Sequence, residues 1–337
     1  MPERYTTLKG VQRYGEQHLS SELEDGVVKF FEWGLLEAGA FFNVEIPTSG
    51  IYGGNAHRLR LVDDPNYTKG QVWEGFRSNW VWESGVFSDD PPINISGVHI
   101  NGTFYATYSH HPNYNASYSH IIDYPNGRVI FDSPITDSSV VTTEYSYRWV
   151  KFIYANNEPW FRQLQFDSIR SDNPDFLQTG SGDWSQLAQT RTQMPVVAVE
   201  VVPRRRFKGY QLGGGQYVWT DILFHVMAEN ESERDKLVDI ISMQNDKVIY
   251  LFNSDRLAKE SRMPLDYRGM FSEHAQASGA LEYPDYVKDS GHPEVGGGYR
   301  TRSMIFTKVS PEDAYSVHRN LHMGTVRTST EVVLPGI

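Results

Sequence analysis

Residues 194–254 constrain the fold more than any other stretch of the sequence. A β-branched run at 196–202 lies between two prolines, and a Gly-rich turn at 213–215 leads into a second run at 217–228. Alternate residues of the second run suit a covered sheet face: Val218, Thr220, Ile222, Phe224 and Val226. This period of two predicts a strand with one buried face.

A helix and a third strand are predicted to follow. Asn230 precedes Glu233 by the three residues of a capping box. The next apolar residues fall on one helical stripe: Leu237, Ile240 and Ile241. We expect a helix over 231–243, packed on the sheet through this stripe, and then a strand at 248–252. The unit contains no evident catalytic group.

The remainder of the second half is less regular. Residues 254–299 lack periodicity, and a loop of this length usually serves function or contact. A strand is predicted at 301–309. Ser310 and Pro311, followed by two acids, are typical of a helix start. A last strand is predicted at 324–334.

The first half predicts one helix followed by short strands. Ser21 and Glu24 form a second capping-box pattern, and Gly39 suits the end of that helix. The Asn-Gly pairs at 101–102 and 126–127 indicate two hairpins, and residues 140–153 alternate as one long strand. Strands in series with short turns favour a sandwich or jelly roll.

The domain organisation follows from these elements. A chain of 337 residues is long for one domain, and a polar, loop-rich stretch places a boundary at about 170–193. We predict an N-terminal arm at 1–19, a β-rich domain at 20–170 and an α/β domain at 194–337. The fold class is α+β: a mostly antiparallel, sandwich-like or jelly-roll-like domain, then a mixed sheet with one packed helix.

Composition excludes several classes of protein. The net charge of -11 argues against a general nucleic-acid binder. The absence of cysteine excludes disulfides, thiolate metal sites and a cysteine nucleophile. The first ten residues are polar, and no uncharged apolar run reaches about 18 residues, so we expect neither a secretory signal nor a membrane span.

No motif predicts an enzyme. His110, His111 and His120 invite a metal site, but the adjacent pair His110 and His111 would point to opposite faces of a strand, and residues 111–115 suit an exposed loop. The glycines at 213–215 precede a strand rather than a helix, which excludes a phosphate loop. No serine elbow or zinc-protease helix is present. We predict no catalytic activity, no metal and no cofactor.

Two groups of residues are candidates for interaction. The basic run is Arg204, Arg205, Arg206 and Lys208. A solvated turn is its ordinary interpretation, and a subunit contact or a contact with DNA in a channel are the functional ones. The indole group is Trp73, Trp80 and Trp82. Burial in a core is its ordinary interpretation, and a sugar-stacking platform or a subunit contact are the alternatives.

Several stretches resemble virion structural proteins of tailed bacteriophages. Residues 118–152 are similar to their pattern of a strand, an Asn-Gly turn and a Tyr-containing strand. Residues 95–105 and 30–50 share this style. Residues 196–252 resemble the small α/β unit of tail-terminator and neck proteins. No functional residue carries over from the resemblance.

The resemblance implies a subunit that works by contact. It implies a symmetric ring, a hexamer or similar, in the neck or at the tail end, as a tail terminator or head–tail connector. Such a subunit is assembled in the host cytoplasm and resides in the virion, with other virion proteins and possible channel DNA as partners, and no membrane. The alternatives are a carbohydrate-binding β-sandwich protein or glycan-degrading tail component, and a baseplate or distal tail structural protein.

Overall fold

The computed structural model describes residues 18–46, 56–83, 86, 89–155, 193–210, 215–252, 254, 265, 300–318 and 321–334. The predicted boundary at 170–193, nearly all of the arm at 1–19 and nearly all of the loop at 254–299 fall outside these ranges. Within them the fold is α+β, mostly strands with two α-helices, as the sequence predicts.

A seven-stranded mixed sheet forms the larger part of the fold. Its strands are β10 (Lys151–Tyr154), β11 (Val196–Val201), β12 (Arg206–Tyr210), β13 (Gly215–Ala228), β14 (Val248–Phe252), β15 (Arg300–His318) and β16 (Leu321–Leu334). The order is β10-β11-β13-β16-β15-β14, and β12 pairs with the other end of β13. The β10–β11 pair is parallel and the others are antiparallel. The mixed sheet predicted for 194–337 is confirmed, and its parallel pair forms with β10 from the first half of the sequence.

Two helices, α1 (Leu19–Glu37) and α2 (Glu231–Ser242), cover one face of this sheet, the helix face. Its core takes alternate residues of β13, among them Ile222, Phe224 and Val226, as the period of two predicts. Leu237 and Ile241 of α2 enter the same core. The opposite face is called the outer face below.

The prediction of one packed helix is wrong, because α1 also lies on this sheet. It contacts β10, β11 and β14, and the ring of Phe31 stacks on that of Phe152 with centroids 4.8 Å apart. Both α1 and β10 come from residues 20–170, so the layered unit draws on both halves of the sequence. Apolar helix stripes pack wherever an uncovered sheet face is available, whatever the separation along the chain.

The predicted start of α1 is wrong and its predicted end is confirmed. The helix begins at Leu19 with His18 as N-cap, so Ser21 and Glu24 lie inside it. Glu24 is buried there, and tertiary packing overrides the local capping signal. At the other end Gly39 takes φ 78°, and its N–H donates to the carbonyl of Leu36.

The first half adds three short antiparallel sheets around a second core. Their strands are β1 (Phe41–Val44), β2 (Arg60–Leu61), β3 (Val72–Glu74), β4 (Gly97–Ile100), β5 (Thr103–Ala106), β6 (His120–Asp123), β7 (Arg128–Phe131), β8 (Val141–Thr142) and β9 (Tyr145–Arg148). The sheets are β1-β9, β2-β3-β7-β6 and β5-β4-β8. Both predicted hairpins are confirmed, and Asn101 and Gly102 have positive φ, as a type I′ turn requires.

The long strand predicted at 140–153 is wrong. Apolar and polar residues alternate along this segment, but it divides into three strands, β8, β9 and β10. These strands pair with β4, β1 and β11 respectively. Each change of partner interrupts the ladder. The segment thereby joins three sheets, and periodicity alone does not report which strand a residue pairs with.

The helix predicted at Ser310 is also wrong, because this segment continues β15. Beyond Phe306 the strand pairs with β16 alone among the described strands, and it shifts register three times. Pro311 fits such an edge, where one side needs no N–H donor. A proline followed by acids therefore marks a protected edge strand here, although the same residues also suit a helix start.

Candidate functional site

The outer face presents a band of side chains that the helices do not cover. Because Val218, Val332, Met304 and Ile249 point into the helix-face core, their strand neighbours point the other way. We define the outer band by these neighbours and their register partners on β12: Val248, Tyr250, Ser303, Ile305, Glu331, Val333, Tyr217, Trp219, Arg206 and Lys208. It crosses five strands, a width of about 19 Å.

Four large apolar side chains of the outer band are exposed. Val248 is 47% exposed, Tyr250 40%, Ile305 38% and Val333 39%. They lie on three adjacent strands of one sheet face. Single exposed apolar residues are ordinary, but a group on one face is typical of a contact surface.

The outer band ends in aromatic rings and cations. Tyr217 and Trp219 stack with centroids 5.8 Å apart, and Trp219 Nε1 donates a hydrogen bond of 3.0 Å to Glu331 Oε2. Arg206 pairs with Trp219 and Lys208 pairs with Tyr217 across the strands, and both cations are exposed. Aromatic residues beside arginine are enriched in protein interfaces.

The middle of the outer face is polar and internally paired. Arg327 lies 3.2 Å from Asp221 and 2.8 Å from Glu312. Further along, His225 Nε2 lies 2.9 Å from Glu200 Oε2, and this hydrogen bond lowers the pKa of Glu200. These ion pairs satisfy one another, and they separate the outer band from a second, buried apolar cluster on the same face, which includes Met227 and Met323.

The basic run predicted from sequence divides between the two faces. Arg205 donates to the Ser20 hydroxyl at the start of α1, on the helix face. Arg206 and Lys208 belong to the outer band, and Arg204 is exposed between β11 and β12. The structure therefore does not bring the four cations into one patch.

The three tryptophans of the indole group lie inside the second core. None is more than 7% exposed. Trp80 contacts Tyr145 with centroids 4.5 Å apart, and Trp73 Nε1 donates to the carbonyl of Gly70. Trp80 and Trp82 share one core while Val81 enters another. In this conformation they offer no ring face to a sugar.

The three histidines are engaged separately. His120 is buried with Nδ1 2.9 Å from the Tyr118 carbonyl and Nε2 3.0 Å from Thr107 Oγ1. Burial lowers the pKa of His120. His110 lies against the ring of Tyr108, while His111 Nδ1 accepts a backbone hydrogen bond. Among the described residues no three His, Asp or Glu side chains are grouped as metal ligands.

A polar cavity of about 220 Å³ lies between the two cores, lined by residues that include Arg77, Arg148, Lys151 and Glu229. Arg148 is buried and paired with buried Glu83. Burial raises the pKa of Glu32, and the positive charge of Arg148 opposes that rise. Arg77 donates to the carbonyl of Met194. The hydrogen bond from Arg77 to Met194 joins the first half of the chain to the residues just before β11 of the seven-stranded sheet.

Most of the outer band is not predicted from the sequence. The alternation at 217–228 predicts which residues of the strand are buried, while Tyr217 and Trp219 occupy the alternate, outward positions. The residues of the band on β14, β15 and β16 are distant in the sequence and become neighbours only when these strands pair in the sheet. One sequence signal does point to the band: Val248, Ile305 and Val333 are large apolar residues at strand positions that face away from the core.

Among the helices in the described ranges, none has the length and apolar character to cross a bilayer. No family model, curated protein or solved structure matches the chain.

Proposed function

We propose that this protein is a structural subunit of a tailed-phage virion that works by contact and forms a symmetric ring, a hexamer or similar, in the neck or at the tail end. The outer band carries the proposal. A subunit that acts by assembly needs an apolar surface that is exposed in the single chain and covered in the ring.

The energetics support a contact role for the outer band. Fully burying a large apolar side chain contributes about 1.5–3 kcal/mol. The four exposed members each retain roughly two fifths to half of their surface, so covering them contributes on the order of 1 kcal/mol apiece. Tyr217 and Trp219 add a rigid, stacked aromatic surface.

The architecture suits a tail-terminator-like unit, as the resemblance implies. Both described helices lie on one side of a mixed sheet, and the outer band on the opposite side presents exposed apolar side chains. The net charge of -11 keeps unassembled subunits apart and repels DNA from a channel wall. The carbohydrate-binding alternative depends on exposed tryptophan rings. Because the three tryptophans of the indole group are buried in a core, they do not support that alternative.

Mass photometry and negative-stain electron microscopy of the purified chain test the proposal, alone and with phage tails and capsids. We expect rings, or decoration of the neck or tail end of the particles. A monomer at all concentrations that also ignores the particles would contradict it.

A further inference from the structure

We propose that the polar cavity between the two cores binds a small zwitterion of the amino-acid class, whose carboxylate meets Arg77 and Lys151 and whose ammonium group meets Glu229. The cavity has a volume of about 220 Å³, which is the liquid volume of about seven water molecules. It is smaller than the pockets that hold drug-sized ligands. None of the described residues that line it belongs to the outer band, so this inference goes beyond the proposed function and does not depend on it.

Hydrogen bonds between distant parts of the chain fix one wall of the cavity. Arg77 Nη1 donates to the Met194 carbonyl at 3.0 Å, and the backbone amide of Ser78 donates to Gln193 Oε1 at 2.8 Å. All four residues line the cavity. The loop that carries Arg77 is therefore held in place before a ligand arrives, which reduces the ordering cost of binding.

Two cations of the wall are available to a carboxylate. Arg77 and Lys151 are both partly buried, and neither forms an ion pair within the described ranges. Arg148 also lines the cavity, but its charge is matched by buried Glu83. A partly buried cation has lost some of its hydration, and an anionic ligand compensates for that loss.

Two buried donors of the same wall also lack an acceptor. Arg77 Nε and Asn79 Nδ2 are buried and have no hydrogen-bond partner among the described residues. Asn79 has a φ of 58°, a left-handed conformation that asparagine adopts more readily than most residues. Buried donors are rarely left unpaired in proteins. A carboxylate has two acceptor oxygens, which match two N–H donors beside a cation.

Charges of the opposite sign come from the connection between β13 and α2. Glu229 and Glu233 both line the cavity there. Asn230 Nδ2 donates to Glu233 Oε2 at 3.0 Å, while the Glu229 carboxylate has no ion pair in the part of the chain that the structure describes. These two acids balance the two available cations without pairing with them. A ligand with one positive and one negative group therefore suits the cavity better than a simple anion, which the acids repel.

Aromatic rings complete the lining. The rings of Phe42 and Tyr147 lie with centroids 5.3 Å apart, and Trp149 lines the cavity as well. Phe42 is 50% exposed, which places it where the cavity meets solvent. The rings offer apolar contact to the carbon atoms of the ligand and a negative face to its ammonium group.

Three small molecules of matched shape test the site. L-Alanine carries both charged groups, propionate lacks the ammonium group, and ethylammonium lacks the carboxylate. Isothermal titration calorimetry of the wild-type chain gives a Kd for each. We expect alanine to bind with a millimolar or lower Kd. Propionate and ethylammonium should each bind at least about tenfold more weakly, because each loses one set of charged contacts.

Two variants separate the two ends of the ligand. Lys151→Gln should weaken the binding of alanine and of propionate by at least about fivefold. Glu229→Gln should weaken alanine by a similar factor without weakening propionate, because only alanine has an ammonium group. The matched controls are Lys308→Gln and Asp239→Asn, which remove exposed charges away from the cavity and should leave alanine binding unchanged. Circular dichroism with urea unfolding verifies the fold of each variant.

Three results would overturn the inference. The first is propionate binding as tightly as alanine with no loss of alanine binding in Glu229→Gln, which would indicate a simple anion site. The second is a folded wild-type chain that does not bind alanine with a Kd below about 10 mM. The third is alanine binding that both cavity variants retain, which would place the ligand elsewhere. None of these results bears on assembly, which the proposed function assigns to the outer band.

Discussion

Gly26 of α1 lies so close to Leu251 of β14 that a Cβ on the glycine would come within 2.7 Å of Leu251 Cδ2 and 3.1 Å of the Tyr250 carbonyl oxygen. This approach holds a helix from the first half of the sequence against the edge of the seven-stranded sheet. It closes the helix face at this edge of the sheet.

Replacing this glycine tests the approach. We expect Gly26→Ala to lower the free energy of unfolding by about 1–3 kcal/mol, because the added methyl must displace backbone as well as the Leu251 side chain. Gly34→Ala in the same helix is the control, since nothing lies within 4 Å of a Cβ there. It should be stabilising by up to about 1 kcal/mol. Urea unfolding of the two variants gives both values, and equal changes would contradict the account.

The buried pair of Arg148 and Glu83 gives a second prediction. Arg148→Met should cost about 3–5 kcal/mol of unfolding free energy, because it leaves the buried Glu83 carboxylate without its cation. Adding Glu83→Gln should recover part of that loss. Urea unfolding of the single and double variants measures the coupling. Additivity of the two changes to within about 0.5 kcal/mol would show that the pair is not coupled.

His120 gives a pH dependence. Burial lowers its pKa, so the fold favours the neutral ring, in which Nδ1–H donates to the Tyr118 carbonyl and Nε2 accepts from Thr107. The unfolded chain binds the proton more readily. The contribution of His120 is therefore complete above about pH 6.5 and is lost as pH falls below it, by at most about 1.4 kcal/mol per pH unit.

Unfolding of wild type and His120→Gln from pH 8 to pH 5 tests this dependence. The difference in unfolding free energy between the two proteins should shrink as the pH falls, because only wild type carries the titrating group. A difference that stays constant over this interval would show that His120 does not titrate on unfolding.

The best predicted parts of the fold are those in which local signals agree with packing. Three such signals depend only on residues close in the sequence. They are the alternation of β13, the capping of α2 by Asn230, and the turn at Asn101 and Gly102. Asn230 accepts a hydrogen bond of 2.8 Å from the Glu233 amide, as the capping box predicts.

The predictions are wrong where the structure of a segment depends on pairing with strands that are distant in the sequence. Residues 140–153 alternate like one strand but change partner twice. The residues around Pro311 are compatible with a helix start, but Pro311 is also compatible with an edge strand. Pairing with β16 makes this segment a strand. The outer band is non-local in the same way, because Val248, Ile305 and Trp219 become neighbours only in the sheet.

The central claim is that the outer band drives assembly, and one pair of variants tests it most directly. Val333 in the band and Val140, the residue before β8, are 39% and 40% exposed, so glutamate at either position changes surface charge and apolar area alike. Mass photometry of wild type, Val333→Glu and Val140→Glu at matched concentrations gives the assembled fraction. We predict that Val333→Glu remains monomeric while Val140→Glu assembles like wild type. Normal assembly of Val333→Glu would contradict the account.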